Sequence, residues 1–578
     1  MAPAKTGSNH KRGYVNAELK LSSTKQLIGY GNCEMDLELS LMHNILYRTA
    51  SFLVSVFVTG LLLGAGVCAA QQAPVVSVTG GSVRGEALKD GGAVFRGIPF
   101  AQPPLADLRW REPKPVKPWT GVREATTFGG ECAQNPMWGH PKVVNEDCLY
   151  LNVWTATWPP AALKPVMVWI HGGGNVAGSG NENGESLVRH GIVLVSFNYR
   201  LGIFGFLAHP ELSAEASEHA SGNYGLMDQI AALKWVQENI KKFGGDPANV
   251  TIFGESAGAM DVNLLMASPL AKGLFHRVIA ESGSILLSGG AMPHNEAEQR
   301  GVQFAELAGA GSGGGALKTL RAASVEQLLA AFGKFAGPSG VPPSLMVAVD
   351  GQVLTKSPAE IFASGKQIPA ALIIGVNARE FGGPADAAEV KKQIEKDYGR
   401  LAAQALPLYG ISTAADGKVS QTAPDPLYGK AGDQLSTDAT FRCPAMVVAD
   451  WNSKAGIPTY QYQFSRGIPG HPEIGAVHAS EVAYVFGNLD EQRKMRPNYE
   501  AADYALSKAM QEYWTNFAKT GSPDGSGVPA WPRYQADSRK YLEFTDNGPV
   551  AGAELRQKQC EIFAETLRKH PEVVPGAQ

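Results

Sequence analysis

Residues 249–266 read N-V-T-I-F-G-E-S-A-G-A-M-D-V-N-L-L-M, and Ser256 is the residue in that run best placed to do chemistry. Val250, Thr251, Ile252 and Phe253 are β-branched or aromatic and predict a short buried strand. Gly254-Glu255-Ser256-Ala257-Gly258 predicts a tight turn, and Ala257 to Met266 predicts the helix that follows. Glycines two places before and after the serine carry no Cβ, so strand and helix can close around it. The strained turn then lifts the hydroxyl clear of the sheet and faces the Ala257 amide into the same space. Such a hydroxyl is poised for attack on a carbonyl carbon. It needs a base for its proton, an acid to orient that base, and donors for the charge that develops on oxygen. A surface turn that merely contains serine has the same five letters, so the rest of the chain has to decide.

The elements around this turn have a regular order. Pro165 to Ile170 (P-V-M-V-W-I) is a fully apolar strand that runs into His171-Gly172-Gly173-Gly174. A glycine triplet just past a core strand lets consecutive amides converge on one point, which makes an anion-binding nest. Ile192 to Phe197 reads as another buried strand. From Gly225 to Phe243 the residues Leu226, Ile230, Leu233, Val236 and Ile240 recur at helical spacing, until Gly244-Gly245-Asp246-Pro247 stops the helix. Strands alternating with helices predict an α/β fold with a central, mostly parallel sheet covered on both faces. The serine turn then sits at a strand's carboxyl end, where such sheets bind ligands.

Composition narrows the function. The chain has 578 residues, is 44% hydrophobic and 18% charged, and carries a net charge of −3. It can bury a large core and offers little to a nucleic acid. Phe52 to Val67 is an apolar run preceded by His43 and Arg48 and followed by Cys68-Ala69-Ala70, which reads as a secretory signal peptide over about residues 42–70. The run is short for a span, and no membrane insertion is expected once it is removed. Residues 1–41 read as an extension ahead of a start at Met42, leaving 71–578 as one domain. Cys132, Cys148, Cys443 and Cys560 remain, an even number that reads as two disulfides in an exported chain. No spacing implies a metal or cofactor.

The run from Phe95 through Ser284 resembles the type-B carboxylesterase/cholinesterase family of α/β-hydrolases. F-R-G-I-P-F-A-Q-P-P, E-D-C-L-Y-L-N-V-W, H-G-G-G, G-N-Y-G-L-M-D-Q, F-G-G-D-P-A-N-V-T-I-F-G-E-S-A-G and G-L-F-H-R-V-I-A-E-S-G-S carry the resemblance, and weaker matches continue to Phe563. It implies the α/β-hydrolase fold with cap insertions, a small ester as substrate, and a monomer or homodimer. Glu380 follows the apolar strand Ala371–Val376 in N-A-R-E-F-G, which resembles the family's acid loop, and His478 lies in a segment that resembles its histidine loop. With Ser256 these give the chain order of nucleophile, acid and base known for the fold. His171, the rival histidine, precedes the nucleophile and fits that order poorly. Gly173, Gly174 and Ala257 become the expected oxyanion donors. Glu255 is expected beneath the site in a supporting role, and Arg109 with Glu146 as a structural ion pair. The disulfides expected are Cys132–Cys148 and Cys443–Cys560.

The departures from the family bear on substrate. Asn175 stands where an aromatic residue is frequent and is expected to make the acyl wall more polar. Asp261 replaces a frequent serine on the helix after Ser256, and the sequence names no partner for it. Gly383 and Pro384 lie where cholinesterases place choline-site aromatics, and Gly289 where a large acyl-pocket aromatic is expected. Trp138 matches a choline-stacking tryptophan or anchors its own loop. Phe381, beside the acid, is a further pocket candidate. The region 384–436 is expected to cap the site. Two other classes compete: a binding protein of the same fold, against which Ser256, Glu380 and His478 all speak, and a hydrolase of amides, carbamates or thioesters on the same residues.

Overall fold

The computed structural model describes residues 73–287, 290–312, 314–340, 342, 347–492 and 498–569. The expected extension, the signal peptide and Gly289 lie outside the described residues. Residues 71–578 form one compact unit.

Among the described residues a central sheet of 11 strands is built from β1 (Glu86–Ala87), β2 (Ala93–Pro99), β3 (Tyr150–Thr155), β4 (Lys164–Ile170), β5 (Val193–Phe197), β6 (Gly245–Glu255), β7 (Arg277–Glu281), β8 (Ala371–Asn377), β9 (Thr459–Phe464), β10 (Lys540–Thr545) and β11 (Gly548–Ala553). Their order is β11-β10-β9-β8-β7-β6-β4-β5-β3-β2-β1. From β5 through β4 and β6 to β10 neighbours pair in parallel, while β1 to β3 and β11 add antiparallel edges. The interior strands β4, β5 and β8 are near-continuous apolar runs because helices cover both faces.

Side-chain alternation along the strands sorts two cores. On β4, Val166, Val168 and Ile170 join one cluster while Met167 and Trp169 join the other. The first face carries α1 (Tyr224–Asn239), α2 (Ala257–Ala267) and α3 (Cys443–Lys454), which contribute Leu233, Val262 and Val448. The second carries α4 (Ala501–Thr520), with Met510, Tyr513, Trp514 and Phe517 against the sheet. A last helix, α5 (Gln557–Lys569), is tied to the start of α3 by the Cys443–Cys560 disulfide, and Cys132–Cys148 closes the loop before β3. Arg109 and Glu146 form a buried ion pair, and Arg109 also donates to the carbonyl of Ala323 at 2.9 Å, so it pins the proline-rich loop to a later helical segment.

The region 384–436 folds into the helices Ala387–Tyr398, Ala402–Leu408 and Ala431–Thr437 and a short hairpin. It leans on α5, where Gln559 reaches the Leu408 carbonyl, and supplies no side chain to the cavity around Ser256. The expectation of a cap from this region is corrected: its apolar faces are taken up by neighbouring helices. Among the described residues no helix is long and apolar enough to cross a membrane.

Candidate active site

Sheet register brings three strand ends together. β6 ends at Glu255, Ser256 takes φ 56° and ψ −120°, and α2 begins at Ala257. Positive φ on a serine costs on the order of 1–3 kcal/mol and persists only where the surroundings impose it. A Cβ on Gly258 would lie 2.1 Å from the Ile170 carbonyl oxygen, and one on Gly254 2.6 Å from it, so only glycine admits this closure of β6 and α2 onto the end of β4. The Ser256 amide donates to the Glu281 carbonyl at 2.8 Å, which straps the turn to β7.

The glycine turn leaves β4 beside it. Gly173, Gly174 and Asn175 have φ of 92°, 62° and 57°, a run of left-handed residues. The Gly173 carbonyl accepts from Val176 and Ala177, both at 3.0 Å. Among the described residues no hydrogen bond claims the Gly173 or Gly174 amide. A Cβ on Gly172 would come 3.1 Å from the Ser256 Cβ, which places the turn directly against the serine.

Glu380 follows β8 and is buried. Its Oε2 lies 2.7 Å from His478 Nδ1, and its Oε1 accepts the Asn377 amide at 2.7 Å. The Glu380 carbonyl accepts the His478 amide at 2.9 Å, so the two loops are fixed by backbone as well as side chain. His478 Nε2 lies 3.1 Å from Glu255 Oε1. Burial pushes the Glu255 carboxyl up to about 8. Burial alone lowers His478, but the facing carboxylates of Glu255 and Glu380 outweigh it and hold the imidazole above its ordinary value. A carboxylate on each side of the ring is what separates it from a free imidazole.

Further carboxylates back the site. Glu481 accepts from Asn377 Nδ2 at 2.6 Å and from the Ser282 hydroxyl at 3.1 Å, and burial raises it to about 7. Glu281 accepts the Trp514 indole N–H at 2.7 Å.

Gly172, Gly173, Glu255, Ser256 and His478 line one cavity of about 440 Å³ that also includes Trp138, Trp169, Phe381, Phe486 and Glu182. Phe381 stacks 4.4 Å from the His478 ring, and Phe441 lies 5.0 Å from it. Trp138 is at the mouth, 58% exposed and with φ 47°. Asn175 does not form an acyl wall: it is buried, and its amide turns inward to Asp261 and Tyr199. Asp261 thereby gains its partners, Asn175 and Gln229, and burial without a cation raises its carboxyl to about 7. Gly383 lies against Gly432, where a Cβ would be 2.0 Å from the carbonyl oxygen, and neither it nor Pro384 reaches the cavity. Sequence reasoning missed Phe441, Glu182, Phe486 and Glu481. Phe441 stands 37 positions from His478 in a π-helical turn, Asp438–Arg442, with no local signal to mark it.

A parallel sheet with a serine turn after one strand, a glutamate after a later one and a histidine loop beyond both defines an α/β-hydrolase. Residues 72–563 match the carboxylesterase family, and the chain belongs to that family and is a carboxylic ester hydrolase. It is 34% identical to carboxylesterase 1D of Rattus norvegicus, over 87% of this chain and 95% of the relative. It is 35% identical to a medium-chain fatty acyl-CoA hydrolase precursor of Anas platyrhynchos, over 89% and 98%. Among solved structures, a PNB esterase superposes with a TM-score of 0.72 at 32% identity, over 85% of this chain and 99% of that one.

Proposed function

We propose that this chain hydrolyses carboxylic esters through an acyl-enzyme on Ser256. His478 takes the Ser256 proton as the hydroxyl oxygen attacks the ester carbonyl carbon. Glu380 holds the ring through Nδ1–H and stabilises the imidazolium that forms. The amides of Gly173, Gly174 and Ala257 receive the tetrahedral oxyanion. Collapse expels the alkoxide, which leaves with the proton from His478, and water repeats the sequence to release the acid. What supports this reading is the 2.7 Å contact of Glu380 with His478, whose ring shares one cavity with Ser256 and Gly173. In the resting geometry Nε2 lies against Glu255, and substrate binding has to bring it to Ser256 Oγ, a tightening of the kind Michaelis complexes show.

Arg109 and Glu146, Trp138, Phe381 and Glu255 support this machinery from outside the bond-making steps. The apolar walls of Trp169, Phe381 and Phe486 favour short- to medium-chain and aromatic esters. A quaternary ammonium needs several aromatic faces away from water. Trp138 is 58% exposed and the 383–384 positions lie outside the cavity, so none of these three positions gives a cation an enclosed aromatic face, which disfavours choline esters. The two disulfides and the apolar segment before residue 71 support an exported enzyme whose mature domain is 71–578. A thioester reading keeps one supporting observation, the acyl-CoA hydrolase among the relatives.

A panel of p-nitrophenyl esters from acetate to palmitate, with acetylthiocholine and butyryl-CoA, tests the specificity. The expected ranking puts p-nitrophenyl butyrate well above acetylthiocholine in kcat/KM. The reverse ranking would overturn the specificity, and faster turnover of butyryl-CoA would favour the thioester reading.

A further inference from the structure

Two polar residues from separate parts of the sequence, Asn175 and Asp261, meet in the fold. Asn175 closes the glycine turn, Asp261 sits on α2 five residues past Ser256, and Asn175 Nδ2 donates to Asp261 Oδ1 at 3.1 Å. Gln229 of α1 donates to the other carboxylate oxygen at 2.5 Å. The Tyr199 hydroxyl lies 2.9 Å from Asn175 Oδ1 and 2.8 Å from the His171 carbonyl. The Asn175 carbonyl accepts the Gly202 amide at 2.6 Å. Asn175, Asp261, Gln229 and Tyr199 are each at most 1% exposed. Among the described residues no lysine or arginine pairs with Asp261, so this carboxylate is held by amides alone.

The placement matters for the reaction. Gly173 and Gly174 precede Asn175, and Ala257 begins the helix that carries Asp261. The Asn175–Asp261 contact therefore bridges the two segments that supply the proposed oxyanion donors. A carboxylate buried on this helix is costly away from water, and only amide donors offset that cost. Replacing both partners of a buried hydrogen bond by apolar groups of the same shape can be nearly neutral or stabilising.

We propose that Asn175 and Asp261 act as a positioning pair, a clamp that sets the spacing between the Gly173–Gly174 amides and the Ala257 amide. This rests on the oxyanion role proposed for those amides. A misplacement of about 1 Å in such a site costs up to about 10²-fold in rate.

The test compares Asp261→Asn, Asn175→Asp and the double swap, with p-nitrophenyl butyrate as substrate and an organophosphate titration to count competent sites. Asp261→Asn leaves one acceptor oxygen for the two donors Asn175 Nδ2 and Gln229 Nε2, so one of them meets the new amide N–H, and Asn175→Asp sets two carboxylates face to face. In the swap the new amide at 261 donates to the new carboxylate at 175, which still accepts from Tyr199, and Gln229 keeps an acceptor. Each single variant should lose about ten- to a hundred-fold in kcat per titrated site, with KM within about two-fold. Affinity for a trifluoromethyl ketone analogue should fall in parallel, because that ligand carries the oxyanion. The swap should restore kcat to within a few-fold of wild type.

Single variants with wild-type kcat, a loss confined to KM, or a swap that restores nothing would each overturn the clamp. If Asp261→Asn yields no titratable enzyme, the swap decides alone: wild-type kcat supports the pair and no titratable sites refutes it. Failure of the organophosphate to label wild-type Ser256 sinks the proposed function instead, so the two failures are told apart.

Discussion

Glu255→Gln is the most informative perturbation of the pH profile. In the wild type the Glu255 carboxylate stands 3.1 Å from His478 Nε2 and stabilises the imidazolium. In the proposed mechanism the base is the neutral ring, so a raised His478 places the acid limb of kcat/KM above the ordinary value of about 6.5. Unit charges about 3 Å apart in an effective dielectric of about 20 attract by about 5 kcal/mol. Burial pushes the Glu255 carboxyl itself up to about 8, so it loses charge as the pH falls through the limb and its pull on the ring is reduced. Somewhat under half of that attraction leaves about 2 kcal/mol, which at about 1.4 kcal/mol per pH unit moves the limb down by about one to two units in Glu255→Gln. The variant should therefore keep more of its own maximal activity under acidic conditions than the wild type does. The assay is kcat/KM for p-nitrophenyl butyrate from about pH 5 to about pH 9.5, which reports the free enzyme. A limb that stays put, or moves up, would refute the argument that Glu255 holds the proton on His478.

Two other outcomes follow from the same geometry. Gly258→Ala would normally favour a helix, but its Cβ would meet the Ile170 carbonyl at 2.1 Å; the strand end has to shift, and the variant should lose about 1–3 kcal/mol in denaturant melts together with most of its activity. A gain in stability would contradict the close approach. Cys443→Ser with Cys560→Ser opens a crosslink across 117 residues, for which the chain-entropy model gives about 5 kcal/mol, against about 3 kcal/mol for the 16-residue separation of Cys132–Cys148. Equal melts for the two disulfide variants would contradict that ordering, and non-reducing peptide maps should find these pairings and no free thiol among the four.

Much of the frame was legible because it is written in local pattern. The β6–turn–α2 run needs a β-branched strand, two glycines and an apolar helix, and all lie within eighteen residues of one another. The same holds for β4 and the glycine turn. Contacts across long separations were not legible. Asn175 read as a polar wall because its neighbours in sequence are cavity glycines, yet its left-handed φ turns it inward to Asp261, 86 positions away. Asp261 was seen as an acid lacking a partner, and both its partners lie on other elements. The 384–436 region was misplaced because helical periodicity tells which face is buried and not what buries it. The elevated His478 follows from Glu255, a neighbour of Ser256 whose side-chain direction depends on the strain of the turn.

The central claim is that Ser256 carries the acyl group. The measurement that tests it most directly is intact-mass and peptide analysis after stoichiometric treatment with an organophosphate, run beside Ser256→Ala in the p-nitrophenyl butyrate assay. The account predicts one adduct per chain, on the peptide containing Ser256, and ester hydrolysis in Ser256→Ala below about 10⁻³ of wild type, on the scale of removing a nucleophile. An adduct on another residue, or a Ser256→Ala enzyme that keeps more than a few per cent of its activity, would contradict it.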